Sequence, residues 1–179
     1  MRALPIRVAA LATALALTAC GHGGGTGDSH RDTGSKNADV AACRLGDVTL
    51  TIGPVSAAPA AGDTGQVPVT LTNRGARCAL RGFPVVRLGT GTTTRAVPAD
   101  RTSTPQDLTL ATGDAALFTL TYVRGREEDG TSLPATSLTV ALPGTKDGTS
   151  FPWSYGPVGA TATAGTPDAS VTAFQQARD

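Results

Sequence analysis

Residues 66–88, with the sequence QVPVTLTNRGARCALRGFPVVRL, decide the fold of this 179-residue chain. Across 67–72, apolar residues alternate with polar residues or proline, which is the period of a half-buried β-strand. A turn is predicted at 73–75, because Asn and Gly both tolerate a positive φ. A second β run follows over 78–88, broken only by a Gly-Phe-Pro sequence. We expect the two runs to pair as the central strands of an antiparallel sandwich, with Cys78 linked to the start of the domain.

Short β patterns recur along the rest of the chain at roughly ten-residue intervals, separated by Gly, Pro and Asp turn signals. The strongest is 115–123, AALFTLTYV, and no segment after residue 17 has a helical period. These features predict an all-β fold, an immunoglobulin-like antiparallel β-sandwich of about 7–9 strands, over residues 43–179. The other predicted strands are 47–53, 93–97, 107–111, 137–142, 150–155, 158–163 and 169–174.

The N-terminus carries the features of a lipoprotein signal peptide over residues 1–19. Arg2 and Arg7 form a short positive region, and the apolar run 8–17 is too short for a membrane-spanning helix, which takes about 20 residues. The tetrad Leu-Thr-Ala-Cys that ends at Cys20 resembles a bacterial lipobox. We therefore expect a lipid anchor on Cys20 that holds the mature chain on the extracellular side of the cell membrane, since two acyl chains suffice for stable anchoring. An ordinary secretory cleavage with an incidental Cys20, or a disulfide through Cys20, stays open.

Residues 20–42 join this anchor to the domain. The stretch after Cys20 is rich in Gly, Ser, Thr and Asp, with almost no apolar residues before Val40. Such a composition cannot bury enough surface to offset the entropy of ordering, which predicts a flexible tether. His22 and His30 lie in this tether without partners at ligand spacing, so no metal or other cofactor is predicted.

The charge balance restricts the partners. The chain has 15 basic and 14 acidic residues, and removal of the signal peptide takes away Arg2 and Arg7, so thirteen basic residues remain. A nearly neutral chain does not predict binding to nucleic acid, or to anionic lipid by charge alone. The partners that stay open are the membrane, through the lipid on Cys20, and an envelope protein or glycan.

Two cysteines remain once Cys20 is assigned to lipid. Cys43 and Cys78 form an even pair in an oxidising compartment, which predicts a disulfide. Such a bond closes a loop of about 36 residues and contributes roughly 4 kcal/mol in the chain-entropy model. Two buried free thiols are the alternative.

The residue types of the domain exclude several chemistries. No histidine occurs from Cys43 onward, which removes Ser-His and Cys-His nucleophilic catalysis and His-ligated metal sites. Lys146 lacks a serine at Ser-x-x-Lys spacing, and the Gly-Thr-Gly at 89–91 lacks the rest of a phosphate-binding loop. We therefore expect a domain that is not an enzyme.

Two clusters of charged residues allow both a functional and a purely structural interpretation. The acidic run Glu127-Glu128-Asp129 can supply a carboxylate for hydrolysis or Ca²⁺ binding, although adjacent residues on one loop usually diverge. Arg124 and Arg126 beside it favour a solvated loop. Six arginines also lie within one third of the chain. They could form a polyanion-binding stripe, or simply belong to an exposed face of the sandwich. They are Arg74, Arg77, Arg81, Arg87, Arg95 and Arg101.

The dense aromatic stretch of the chain is 151–155, FPWSY. At the period of a strand, Phe151, Trp153 and Tyr155 share one face. We expect that face to point into the core, with Trp153 filling the sandwich. An edge position at Pro152 would instead turn the rings outward as a binding surface.

Several of these pieces together resemble a known family. They are Cys43, the Leu-Thr-Asn at 71–73, the Cys-Ala-Leu-Arg-Gly-Phe-Pro at 78–84, the Leu-Ala-Thr-Gly-Asp turn at 110–114 and the Phe-Thr-Leu at 118–120. In these motifs the chain resembles the secreted actinobacterial family called domain of unknown function 4232, over residues 43 to 174. The resemblance implies an extracytoplasmic β-sandwich, often borne on a lipoprotein, with Cys43 and Cys78 bridged and no established activity.

Three functions follow as alternatives. The first is a membrane-anchored lipoprotein with a non-catalytic binding or accessory domain, favoured by the absence of histidine in the domain. The second is a cell-envelope hydrolase that uses carboxylates around Glu127 and Glu128. The third is a structural component of the envelope with no discrete ligand.

Overall fold

A computed structural model describes residues 40–127, 130–161 and 165–177. The predicted signal peptide, Cys20 and both histidines lie outside these residues, as do Glu128 and Asp129. The described chain begins with a one-turn 3-10 helix at Leu45–Asp47. Eleven strands follow it: β1 (Val48–Ile52), β2 (Thr64–Asn73), β3 (Cys78–Arg81), β4 (Val85–Thr90), β5 (Thr93–Ala96), β6 (Asp107–Leu110), β7 (Ala115–Val123), β8 (Ser137–Ala141), β9 (Gly148–Pro152), β10 (Ala169–Val171) and β11 (Gln175–Gln176).

The strands form antiparallel sheets that share one hydrophobic core. The larger sheet has the order β1-β2-β7-β10, with β11 also paired to β7, and the second sheet has the order β5-β4-β8-β9. A two-stranded sheet, β3-β6, completes the set. The orders β1-β2-β7 and β4-β8-β9 correspond to strands A-B-E and C-F-G of immunoglobulin domains. The prediction of an all-β antiparallel sandwich is therefore confirmed.

The predicted pairing of the two runs in 66–88 is wrong. β2 pairs with β1 and β7, whereas the second run divides into β3, which pairs with β6, and β4, which pairs with β5 and β8. The division falls at 82–84, where Gly82 has a φ of +80° and Pro84 lacks an amide donor. The chain therefore leaves the larger sheet after β2 instead of turning back along it.

The core consists of side chains on alternate residues of the two large sheets. Phe118 and Leu120 of β7 and Leu138 and Val140 of β8 are all essentially inaccessible to solvent. Phe174, after β10, packs edge to face on Phe118 with ring centroids 5.7 Å apart. Period-two burial along β7 shows why this run is the clearest strand in the sequence.

The ends of two predicted strands differ from expectation. β9 stops at Pro152, before the aromatic stretch ends. Residues around Val158 do not form a strand, since Val158 makes only isolated bridges to Arg124 and Leu133, while 162–164 lie outside the described residues. The described parts of the chain contain no helix that is long and apolar enough to cross a membrane.

β1 ends where proline interrupts its ladder with β2. The register pairs Ile52 with Val69, and Gly53 N–H then donates to Pro68 O at 2.9 Å. Pro68 has no N–H to return a hydrogen bond, so the pairing of the two strands stops there. The following loop, 53–63, is thereby free to pack against other loops.

One end of the sandwich, which we call the entry end, contains the first described residues and the turns 74–77 and 111–114. Asn73, the one buried polar residue of the described chain, joins these turns. Its side-chain amide donates to the carbonyls of Ala76, Leu110 and Ala111 at 3.0–3.2 Å, and its Oδ1 accepts from Gly75 N–H at 3.0 Å. Asn73 therefore ends β2 as a buried cross-link.

Gly75 has a different role from the one predicted. Its φ lies outside the left-handed region, so conformational freedom does not explain the glycine. A Cβ at this position would lie 2.7 Å from Asp47 Cβ, and Asp47 O accepts hydrogen bonds from the N–H groups of Arg74 and Gly75. Close approach of the 3-10 helix is what requires glycine here.

The outward surface of the larger sheet contains a repeated Thr-Leu-Thr pattern. The pattern occurs on β1, β2 and β7, with each leucine directed inward. The register places the threonines of β1 directly beside those of β2. We call this surface the threonine face, and it is defined by Thr49, Thr51, Thr70, Thr72, Thr119 and Thr121.

Candidate functional site

Three loops meet at the end of the sandwich opposite the entry end, which we call the far end. They are 53–63 between β1 and β2, the described residues of 124–136 between β7 and β8, and the described residues of 153–168 between β9 and β10. Gly62 N–H donates to Arg124 O at 2.8 Å, and Gly125 N–H donates to Pro157 O at 2.9 Å. Val158 bridges Arg124 and Leu133. Backbone hydrogen bonds therefore fix the three loops to one another.

Arg124 occupies the centre of the far end. Its Nη1 donates to the carbonyls of Ala58 and Pro59 at 3.1 and 3.2 Å, and its Nη2 lies 4.0 Å from Glu127 Oε1. The Arg124 side chain is 30% exposed. A Cβ at Gly156 would approach Arg124 Nε to 2.9 Å, so the glycine leaves room for the guanidinium. The cation is thus held in one orientation with one edge exposed.

A buried tyrosine bonds to the same loop residue, Ala58, as the arginine does. Tyr122 is fully buried, and its hydroxyl accepts a hydrogen bond from Ala58 N–H at 3.2 Å and donates to Tyr155 O at 3.3 Å. The Tyr122 ring covers Gly65 on the neighbouring strand, where any side chain would overlap it. The hydroxyl therefore connects the first and third loops of the far end.

The aromatic stretch packs into this same region. Trp153 is 6% exposed, lies edge to face on Tyr122 and Tyr155 with centroids 4.9 Å from each, and donates from Nε1 to Gly156 O at 2.7 Å. Pro152, next to it in sequence, is exposed. The prediction that Trp153 fills the core is confirmed.

A cleft of about 420 Å³ opens between the first two loops. It combines a small apolar wall with exposed charge, because Arg126 and Glu127 stand at its rim. Arg126 has no ion pair among the described residues. The cleft therefore offers hydrogen-bond donors from guanidinium groups and one carboxylate acceptor, and it is lined by Pro59, Ala60, Ala61, Arg124, Gly125, Arg126 and Glu127.

The predicted acidic cluster is only partly described. Glu127 is 77% exposed and faces Arg124, whereas Glu128 lies outside the described residues. Within the described ranges no group of three His, Cys, Asp or Glu side chains is placed to hold a metal ion.

The six clustered arginines do not converge on one site. Arg74 and Arg77 are exposed on the 74–77 turn, and Arg81 pairs with Asp107 at 3.3 Å. Arg87 is half-buried on β4, and the edge strand β5 carries Arg95. The structure thus distributes these arginines over different elements and does not form the polyanion-binding stripe. Lys146 is exposed in the turn before β9, as predicted.

Asp100 is the carboxyl in the described part of the chain whose pKa is clearly displaced. The Thr102 hydroxyl and then the Thr102 N–H, both bonded to Asp100 Oδ1 at 2.7 and 2.9 Å, lower this pKa from its ordinary value. Asp100 is half-buried in the loop between β5 and β6. These bonds order the loop, which pairs with β10 through Asp100 N–H and Val171 O.

The predicted disulfide is present. Cys43 and Cys78 are bonded with an S–S distance of 2.03 Å and a Cα–Cα distance of 4.8 Å. The bond fixes the chain start to β3, where Ala79 N–H donates to Ala41 O and Cys43 N–H donates to Ala79 O. Ordered pairing therefore reaches back into residues 40–42.

The fold and this bond define a class of protein, a disulfide-linked antiparallel β-sandwich domain. The family model described as Domain of unknown function (DUF4232) matches residues 43–175, which is most of the chain. The chain belongs to this family. No curated protein matches it.

Proposed function

We propose that this protein is a lipid-anchored extracytoplasmic binding module, without catalytic activity, that presents its far end to a partner in the cell envelope. The proposal rests on one observation. The chain enters the domain at one end of the sandwich, and the cleft lies at the other end. β2 begins at Thr64, beside the far-end loops, and ends at Asn73, in the entry end. Ten residues of extended strand span about 30 Å.

The chain enters the domain at the end opposite the cleft, and this supports a cleft that faces away from the membrane. Residues 40–43 join the domain at the start of β3 and are fixed there by the disulfide. A lipid on Cys20 followed by the tether would hold the entry end toward the membrane. The cleft beside Arg124 would then face away from the bilayer, toward the rest of the envelope.

The chemistry of the cleft suits recognition of a polar partner. Arg124 is held by two backbone carbonyls, so a ligand that contacts its free edge does not have to order the side chain. Arg126 and Glu127 add a donor and an acceptor at the rim. An envelope protein or glycan that carries both acceptor and donor groups fits this set.

The hydrolase alternative has less support. Glu127 contacts a guanidinium at 4.0 Å and is largely exposed, which is the arrangement of a surface ion pair. Carboxylate-based glycoside hydrolysis needs a second carboxylate about 5–10 Å away across a cleft. A structural envelope component with no discrete ligand is the remaining alternative.

The proposal is tested on the full chain in its own envelope, with a photoreactive residue in place of Arg126. The matched control places the same residue at Arg74, which is exposed at the entry end. We expect an adduct with an envelope component from position 126 and none from position 74. Protease and wall-degrading enzymes then distinguish a protein partner from a glycan.

Mass spectrometry of the same preparation examines the anchor. The first residue should be Cys20 with a diacylglycerol mass, and Cys20→Ala should leave the unlipidated precursor. A mature start elsewhere with no acyl mass contradicts the anchor. Adducts that are absent from position 126, or equally abundant from both positions, contradict binding by the far end and favour the structural alternative.

A further inference from the structure

The outward positions of the larger sheet carry no charge. On β1, β2, β7 and β10, all of which are fully described, every outward residue is Thr, Ser, Gln, Pro, Ala, Leu or Val. Surfaces of soluble domains normally have about 25–35% charged residues. The strands of the second sheet, by comparison, carry Arg87 on β4 and Arg95 on β5. Depletion of charge is what distinguishes the centre of protein interfaces.

The threonine face is also broad and regular. Four strands lie abreast, β1, β2, β7 and the β10–β11 pair, at a spacing of about 4.8 Å. The register aligns Thr51 with Thr70, and Thr70 with Leu117, in one row across the sheet. β2 and β7 are about 30 Å long and the strands that flank them are shorter, so the face covers on the order of 500 Å².

We propose that the threonine face is the contact surface of a homodimer, in which two copies pack their larger sheets face to face. Two such faces bury about 1,000 Å² in total, which is the threshold for a biological interface and lies in the range of weak, transient complexes. The area therefore predicts a weak, reversible dimer.

A second copy fits this surface better than a charged partner does. Two uncharged faces meet without repulsion, and a nucleic acid or acidic protein finds no cation on the face to pair with. Threonine methyl groups supply apolar contact area on a pleated surface, and their hydroxyls can hydrogen-bond across strands. Leu117 and Pro68 add apolar area near the centre of the sheet.

The symmetry of such a dimer agrees with the way the chain enters the domain. Sheets that pack face to face keep their strands within about 30° of each other. A two-fold axis along the strands places residues 40–43 of both copies at the same end. Both far-end clefts then point the same way. The dimer itself does not require lipid on Cys20, so its failure leaves the proposed function standing.

The test is sedimentation equilibrium of the full chain in density-matched detergent. Thr70→Glu places a charge near the centre of the buried face, and Thr51→Glu places one on the exposed edge strand β1, where the substitution spares the fold. Thr94→Glu, on the exposed strand β5 of the other sheet, is the matched control. Thermal melting verifies that each variant is folded.

We expect a concentration-dependent dimer for the unmodified chain and for Thr94→Glu. Thr70→Glu and Thr51→Glu should raise the dissociation constant at least tenfold, because a carboxylate that is buried in an uncharged interface without a partner costs several kcal/mol and 1.4 kcal/mol is a factor of ten. The proposal is overturned by an unmodified chain that stays monomeric up to about 1 mM. Equal dissociation by Thr94→Glu, or none by Thr51→Glu, also overturns it.

Discussion

Asn73 shows how one buried side chain can hold several turns. Its amide group contacts three carbonyls and one N–H from two turns; the bond to Leu110 O is buried, and the other three are part-buried. Leaving buried partners unsatisfied costs about 1–3 kcal/mol for each group. The Leu-Thr-Asn motif of the sequence is therefore an architectural element rather than part of the cleft.

Asn73→Ala should lower the free energy of unfolding by about 1–3 kcal/mol, since the buried Leu110 carbonyl loses its partner together with three part-buried groups. Urea denaturation of the soluble chain that starts at Gly21 measures the change. Thr72→Ala, at the neighbouring half-buried position, is the control and should change stability by no more than about 1 kcal/mol. Equal effects of the two substitutions would contradict the role assigned to Asn73.

The same residues show where sequence reasoning stops at this scale. Asn and Gly in Asn-Arg-Gly indicate a turn, and a turn is present. Asn73 is bonded to Leu110, 37 residues later in the chain, and Gly75 contacts Asp47 of the 3-10 helix, which lies earlier in the chain. Local turn preferences contain no information about such a contact.

At the scale of elements, the positions of most strands follow from period-two alternation. β7 coincides with its predicted range, and β1, β6 and β8 differ from theirs by one residue at one or both ends, whereas β2 begins at Thr64, earlier than the predicted 67–72. The pairing of β2 with β7 instead of β3 is not visible in the alternation, because a buried face looks the same whichever strand lies beside it. Gly82 and Pro84 are the only local signs of the change of sheet.

Cys78→Ala should destabilise the domain by about 2–5 kcal/mol, because the disulfide closes a long loop and ties the chain start to β3. Denaturant unfolding with and without reductant measures this difference. The unmodified protein under reducing conditions should match the variant to within about 1 kcal/mol.

Thiol titration of the unfolded, unreduced soluble chain that starts at Gly21 gives an independent reading of this bond. It should find no free thiol, and two free thiols would show that the bond is absent.

At the scale of the molecule, the aromatic cluster joins the two large sheets. Trp153 follows β9 of the second sheet and packs on Tyr122 of β7 in the larger one. Trp153→Ala should cost about 3–5 kcal/mol of stability. Tryptophan fluorescence of the unmodified protein should be blue-shifted and poorly quenched by iodide, since the ring is 6% exposed. Easy quenching with an unchanged melting temperature in the variant would contradict a core role.

The far-end cleft could not be located from the sequence. Its walls come from loops separated by more than 60 residues, and Arg124 reads in the sequence only as a neighbour of an acidic run. The fold class, the core role of Trp153 and the disulfide could be predicted from the sequence. The first follows from the period of the apolar residues, the second from the size of the side chain, and the third from the number of cysteines. The cleft depends on how three irregular loops meet, for which no period exists.

The position of the disulfide also determines how the domain transmits mechanical force. A pull on the chain between residue 42 and any residue beyond 78 travels along the shortest covalent path, from Cys43 through the sulfur bridge to Cys78. β1, β2 and the first far-end loop lie inside the covalent ring and take no direct tension. In the lipid-anchored arrangement that we propose, tension from the envelope would therefore load the domain at β3, while the loop that holds the Arg124 guanidinium would stay relaxed.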